Sequence, residues 1–469
     1  MGSKNFFVLE NPIKYKWLNK GSGGVFNQMT TESLVNNLFN TDYESIPENV
    51  KEHAKKSILN WAGVAIGSAN HPSVGMVLDL KNDLQSSEQV TILGRSEKAD
   101  ILLATLTNGM TSHIFDFDDT HLDTIHHPSG PVAPVVFALG EWYDLNPIEV
   151  LRAFVLGSEV ELRISNAIYP AHYDLGWHIT STVGVFGAAV SAGLLLKLNK
   201  EQLLQALGIA GTQSSGLREM FGTMTKPFHP GKAAQNGLLA AMLAKKGFTS
   251  SNQVLEAKRG FSAVLSPTFN LDRVNENWGK QWELLKNSFK PYACGIVLHP
   301  SIDACIQLRN FAEPMNVQEI QLIVNPSVLE LTGKKEPRTG LEGKFSIYHS
   351  AAVGFLEKAA GQAQYDDEKV MDPNIVAFRS KIKPSINDDI NEDKAIAKVI
   401  LNNGTEHKVT IEHATGSIEN PMSRASLIDK FIALTKPIIG DEQGKKVIRK
   451  IERFEDVESI EEITALCRG

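Results

Sequence analysis

The stretch Asp116-Phe117-Asp118-Asp119-Thr120-His121, followed by Asp123 and by His126-His127-Pro128-Ser129-Gly130, gathers four carboxylates and three imidazoles in one short run. Phe115, Phe117 and Ile125 are interleaved with them, which a solvated face does not explain. Like charges in an apolar setting repel and need partners. The plainer alternative is a helix end dressed with capping acids. Four more clusters carry chemistry: Gly176-Trp177-His178-Ile179-Thr180, Thr223 to Lys232 with Lys226 and His229, Phe289 to Cys294 with Lys290, and Arg338 to Ser346 with Lys344. Taken alone, a histidine beside a tryptophan is more often a packed core residue than a catalyst. Lys226, set among prolines and aromatics ahead of a helix, suits an anion site. On charge alone the two basic loops read equally well as anion contacts or as exposed loops.

Together the clusters supply an acid group, imidazoles and isolated cations, a set suited to enolate chemistry. Removing a proton beside a carboxylate requires a positioned base, and the charge that develops needs cations or hydrogen-bond donors aimed at the carboxylate oxygens. Two rival readings exist. Asp118-Asp119 with Asp123 is close to the aspartate-rich magnesium and diphosphate site of a helical isoprenoid synthase, but that site needs ligands from a facing helix. Only Asn387 to Glu392, in a β-rich region, offers them. A non-enzymatic carboxylate-binding protein would explain the cations but not the imidazoles among them.

The elements that must position these residues follow from the rest of the chain. Its 469 residues, 42% hydrophobic and 22% charged, suggest two domains. A net charge of −7 argues against a nucleic-acid partner, which needs a basic footprint. Cys294, Cys305 and Cys467 fit no disulfide framework, zinc ribbon or iron–sulfur spacing, so a reducing cytoplasm and no metal are expected. The apolar run Ile179 to Leu196 is interrupted by Thr180, Ser181, Thr182 and Ser191 and reads as a buried helix rather than a membrane span. Residues 1–28 read as an extension or tag-like segment in which Gly21-Ser22-Gly23-Gly24 is a flexible linker.

From about Ser45 to Gly260 the periodicity is helical, with Val50, Ala54, Ile58, Ala62 and Ala65 marking the first long helix. Further helices are expected near Ala99 to His113, Ile148 to Ala167, Ser181 to Leu198, Glu201 to Gln213 and Gly231 to Lys246. After Phe289, β signals enter: Ile320, Leu322 and Val324 alternate, Val376 to Ile386 reads as extended, and Val399 to Ile411 reads as a hairpin through Asn402-Asn403-Gly404. Helical patterns recur at Ser301 to Phe311, at Ser346 to Ala360 and from Ser423 onward. The expected fold is mainly α, a large all-helical domain (29–285) plus a smaller α+β lid domain (286–415) inserted before C-terminal helices (416–469) that return to the helical body.

Asp116-Phe117-Asp118-Asp119-Thr120 with His127-Pro128-Ser129-Gly130, Gly-Trp-His at 176–178, Thr-Lys-Pro-Phe-His at 225–229, Lys-Pro-Tyr at 290–292 and Asn420-Pro421-Met422-Ser423 resemble the MmgE/PrpD family. The motifs occur in family order, and the resemblance runs from about residue 30 to the C-terminus. It implies a cofactor-independent lyase or isomerase acting on a small di- or tricarboxylate, an interdomain cleft and a homodimer. Among the family's activities it favours 2-methylcitrate dehydratase-like chemistry, with iminodisuccinate epimerase-like and cis-aconitate decarboxylase-like activities as alternatives. It places Asp116, Thr120, His127, His178 and Lys226 in catalysis, and Lys290, His229, Arg338 and Lys344 in substrate binding. Two departures weigh against decarboxylation. This chain has one residue more than the decarboxylase pattern between Thr120 and His127, and Val328 to Thr332 holds no tyrosine where the decarboxylases carry one.

Overall fold

The computed structural model describes residues 29–469, so the expected linker Gly21–Gly24 and the whole 1–28 extension lie outside the described residues. The chain is mainly helical with small sheets. Helix Glu48–Gly67 begins directly after Pro47, whose missing N–H costs nothing at a helix start, and buries Val50, Ala54, Ile58, Ala62 and Ala65 as the periodicity requires. Helices Ile101–Ile114, Pro147–Ile168, Ile179–Leu195 and Lys200–Gly211 match expectation within a few residues, and Asp100, Asn146 and Asn199 cap three of them through side-chain oxygens.

One helix starts earlier than its pattern suggests. Thr225–Lys245 takes in Lys226, Pro227 and Pro230, residues that read as a loop before the helix. Pro227 lies in the first turn, where no intrahelical N–H is required, so the proline signal marks a start and not a break. Farther along, this helix crosses Ile101–Ile114 in backbone contact. A Cβ on Gly231 would come 2.2 Å from the Leu106 carbonyl oxygen, and one on Gly109 would come 2.7 Å from the Gly231 Cα. Only glycine allows that approach, which brings the Lys226 end of one helix beside the Asp116 end of the other.

Two apolar cores are present. The first is built by the helices up to Phe289 and completed by Leu427, Phe431, Val447, Ile451, Phe454 and Ile460 from the C-terminal segment. The second is formed mainly by residues between Ala293 and Ile411. It contains a four-stranded sheet in which Ile382–Ile386 runs parallel to Val317–Val324, followed by antiparallel Ala395–Leu401 and Glu406–Ile411. Helices His299–Leu308 and Ile347–Glu357 bury their apolar residues in the same core. The expected hairpin is present, with Gly404 at φ +83° in its turn. Val376 to Ile386 is only half extended: Asp372 caps a helix Pro373–Arg379, and the strand starts at Ile382. The Asp-Pro helix start overrides the β-branched residues there.

A two-stranded ladder pairs Thr120 with Ser288 and His121 with Asn287. It joins parts of the chain far apart in sequence and delivers Lys290 to Asp116.

Candidate active site

Helix Ile101–Ile114 ends at Phe115, and the next residue, Asp116, adopts a left-handed backbone at φ +49°. That conformation is uncommon for a residue with a Cβ and persists only where the surroundings hold it. Here three successive carbonyls each accept a hydrogen bond from a different buried lysine. Lys344 Nζ donates to Phe115 O at 2.7 Å, Lys290 Nζ to Asp116 O at 3.2 Å, and Lys430 Nζ to Phe117 O at 2.7 Å.

The Asp116 carboxylate lies between two ammonium groups, Lys226 Nζ at 2.7 Å and Lys290 Nζ at 3.0 Å, both on Oδ1. Its Oδ2 is buried without a partner among the described residues. Burial works against the charge, but Lys226 and Lys290 hold the carboxyl well below the usual range. Burial lowers Lys226 from its ordinary value, and Asp116 opposes that shift.

Around this ion triad stand the imidazoles. His127 Nδ1 lies 2.9 Å from Asp119 O and 3.0 Å from Thr120 Oγ1, which assigns the proton to Nδ1 and leaves Nε2 free. The backbone N–H of His127 donates to Thr180 Oγ1 at 3.1 Å. His178, at the N-cap of Ile179–Leu195, places Nδ1 2.8 Å from His229 Nδ1, so one of the two rings donates and the other accepts. His113 Nδ1 meets Asp118 Oδ2 at 2.6 Å. Ring centroids are 6.5 Å apart for His127 and His178, and 4.8 Å for His113 and His127. Burial pushes His127 down to about 3 and His178 well below its ordinary value, so both are neutral at pH 7.

Asp116, His127, Tyr173, His178, Lys226 and Lys290 all line one cavity of about 40 Å³, narrowed by Phe221, Phe345 and Leu331. That is room for about three waters. Sequence reading therefore finds five of the six titratable lining residues. Thr120 orients His127, and His229 stands behind His178. Lys344 does not line the cavity: its ammonium is spent on the carbonyls of Phe115 and Ala293 and on Gln362 Oε1. Burial lowers its pKa to about 7. Arg338 lines a different cavity. Tyr173 and the His113–Asp118 pair were missed. The pair was visible, since His113 lies one helical turn before Asp116, whereas Tyr173 carries no signal in its neighbourhood.

The aspartates of the rival reading are already committed: Asp118 to His113, Asp119 to Ser129 Oγ at 2.5 Å and Asn287 Nδ2 at 2.6 Å, and Asp123 to Lys286. Among the described residues no cluster of metal-ligating side chains contains two of these three aspartates. His113, His127 and His178 each bring a ring nitrogen within 4.8 Å of the others, a spacing that could admit a metal ion. The Lys226 and Lys290 ammonium groups beside them repel a cation and occupy the neighbouring carboxylate.

The family model for the MmgE/PrpD N-terminal domain matches residues 32–274, and that for the MmgE/PrpD C-terminal domain matches residues 292–456. The chain belongs to the MmgE/PrpD family. Within it, the chain is similar to the cis-aconitate decarboxylase of Aspergillus terreus (strain NIH 2624 / FGSC A1156), 25% identical over 454 residues that cover 90% of this chain and 92% of that protein. It is also 25% identical to the Mus musculus cis-aconitate decarboxylase over 94% of this chain and 93% of that protein, and to the Homo sapiens one over 94% of each. Among the described residues no helix is long and apolar enough to cross a membrane.

Protonation of this MmgE/PrpD interior sets an acid limit on stability. Burial lowers His53, His172, His229 and His349 to about 4, and His127 and His299 to about 3. As pH falls through the ordinary histidine value of about 6.5, the unfolded chain takes up protons that the folded chain refuses, so stability declines with falling pH down to about 4. Asp119, raised to about 6 by burial, acts in the opposite direction, as do Glu159, Glu161 and Asp303, also raised by burial, but these four are outnumbered by the ten lowered histidines once His71, His113, His126 and His178 are added to the six. Thermal melts should show the midpoint dropping by several degrees between about pH 7 and about pH 5. A flat midpoint across that range would contradict the buried neutral imidazoles.

Proposed function

We propose that this chain is a metal-independent lyase of small di- or tricarboxylates, working by proton transfer at the carbon beside a carboxylate. The observation that supports this best is the convergence of Lys226 and Lys290 on one buried carboxylate, ringed by two imidazoles with free nitrogens. A substrate carboxylate entering the cavity is held by the ammonium groups and stabilised further as charge shifts onto it in the transition state. His127 and His178 are neutral and poised to accept a proton. They are weak bases in the empty site, and the negative charge of a bound polycarboxylate raises their basicity. Thr120 and His229 hold the rings, and Tyr173 offers a phenol on the same wall.

The segment 286–415, which carries most of the second core, acts in this reading as a lid over the helical body, because the cavity is too small for a tricarboxylate until the two separate. Dehydration is the first reading. Leu331 and Thr332 line the cavity where the decarboxylase pattern has a tyrosine. Decarboxylation is the second, favoured by the similarity to cis-aconitate decarboxylases. The proposal includes a homodimer, testable by sedimentation, and a cytoplasmic location, with which three free buried cysteines are consistent.

Incubation with citrate-like, malate-like and amino-dicarboxylate compounds in deuterated water, read by NMR, tests the reading. New alkene signals indicate dehydration, loss of a carboxylate carbon indicates decarboxylation, and label uptake without net loss indicates epimerisation. Exhaustive chelation should leave the rate unchanged. Activity that disappears and returns with one specific metal would overturn the metal-independent mechanism.

A further inference from the structure

Arg338, expected at the cleft, lines a separate cavity of about 620 Å³ that shares no lining residue with the catalytic one. Lys335, Arg379 and Lys383 also line it, and Glu336 is the one acid in its wall. In a chain of net charge −7, four cations against one acid is a local surplus and not background. Among the described residues the side chains of Lys335 and Arg338 have no ion pair or hydrogen bond, and Lys383 donates only to the Ser380 carbonyl, at 2.7 Å.

Arg379 is 7% exposed and, among the described residues, has no carboxylate partner. Its NH1 donates to Pro337 O at 3.4 Å and its NH2 to Val370 O and to His349 Nδ1 at 2.8 Å, while Nε is buried without a partner. His349 Nε2 donates to Gln364 O at 2.7 Å, which leaves Nδ1 as the acceptor for the guanidinium. Every acceptor that Arg379 reaches is therefore neutral. A guanidinium keeps its charge, and a buried charge without a counter-charge is costly.

We propose that this cavity is a binding site for a small organic anion with a dianionic head group, a phosphate or paired carboxylates. Arg379 supplies the buried cation at its base, and Lys335, Arg338 and Lys383 surround the head group. Tyr348, Met371, Val376 and Ile382 in the wall accept the ligand's apolar part. The segment 334–346 has Lys335 and Arg338 at this cavity, Phe345 at the catalytic cavity and Lys344 on the Phe115 carbonyl. Occupancy here therefore bears on the loop that closes the active site.

Calorimetric titration of the full chain with inorganic pyrophosphate, and separately with citrate, tests this. Arg338 and Lys383 are exposed, so the Arg338→Gln/Lys383→Gln protein should fold. Pyrophosphate should bind the unaltered and the Lys226→Met proteins equally, and the double variant at least about 10-fold more weakly. Citrate following the same pattern marks a polycarboxylate ligand, and pyrophosphate alone doing so marks a phosphorylated one. Absence of binding by both probes at millimolar concentration overturns the site. So does binding that survives in the double variant and disappears in Lys226→Met, which assigns the anion to the catalytic cleft instead.

Discussion

Replacing Lys226 with Met is expected to lower turnover of the true substrate by about 10²- to 10³-fold while the protein stays folded. Met keeps the length of the stem and its packing beside Phe221 and Phe345, whose ring centroids lie 5.2 and 5.0 Å from the ammonium. What disappears is one of the two cations on Asp116. Removing one partner of an isolated buried pair costs about 3–5 kcal/mol, but Asp116 retains Lys290 at 3.0 Å, so the stability loss should be smaller. The missing charge matters more when a substrate carboxylate must be stabilised in competition with Asp116. Steady-state kinetics and a melting curve on the same preparation separate the two effects. Full activity in the variant would remove Lys226 from the mechanism, and Lys290→Met offers an independent check on the clamp.

The second large effect is expected at the imidazoles. His127→Asn and His178→Asn should each slow proton exchange at the substrate carbon by about 10²-fold or more, as loss of a general acid or base does. Their supports differ, and the difference can be measured. His127 is held by a backbone carbonyl and Thr120, so Thr120→Val should loosen its ring and reproduce part of the His127 effect. His178 is held by His229 alone at Nδ1. Adding His229→Asn to His178→Asn should therefore cost almost nothing further, because neighbours acting through one hydrogen bond are not additive. Additive losses would show that His229 acts elsewhere.

Much of this arrangement was legible in the sequence. Asp116, Thr120 and His127 are near one another along the chain, and their density was itself the signal. Lys226 already suited an anion site by its setting, but its grouping with His178 and Lys290 came through the family motifs, because nothing in the periodicity of the helices says that Gly109 and Gly231 touch and draw two helix ends together. The lysines show where reading fails. Lys344 and Lys226 look alike as charges in a sequence, yet one ends on carbonyls and the other on a carboxylate beside a cavity. That outcome depends on the path of a neighbouring backbone. Arg338 was misplaced for the same reason: its loop reaches both cavities, and the charge pattern does not tell which end faces which. The secondary structure was clearest where apolar periodicity was long and weakest at Val376, where a short Asp-Pro signal decided the matter.

The three lysines on the carbonyls of residues 115–117 also constrain the order in which the molecule can be completed as it leaves the ribosome. Phe115 and Asp116 emerge early, Lys290 and Lys344 follow, and Lys430 comes from the helix Arg424–Ile439, close to the end of the 469-residue chain. Until that helix has docked, the Phe117 carbonyl lacks its ammonium and the left-handed turn at Asp116 has lost one of its supports. A nascent chain stalled before residue 430 should thus carry nearly every catalytic group and still be inert. Supplying the missing C-terminal segment as a separate peptide should switch it on.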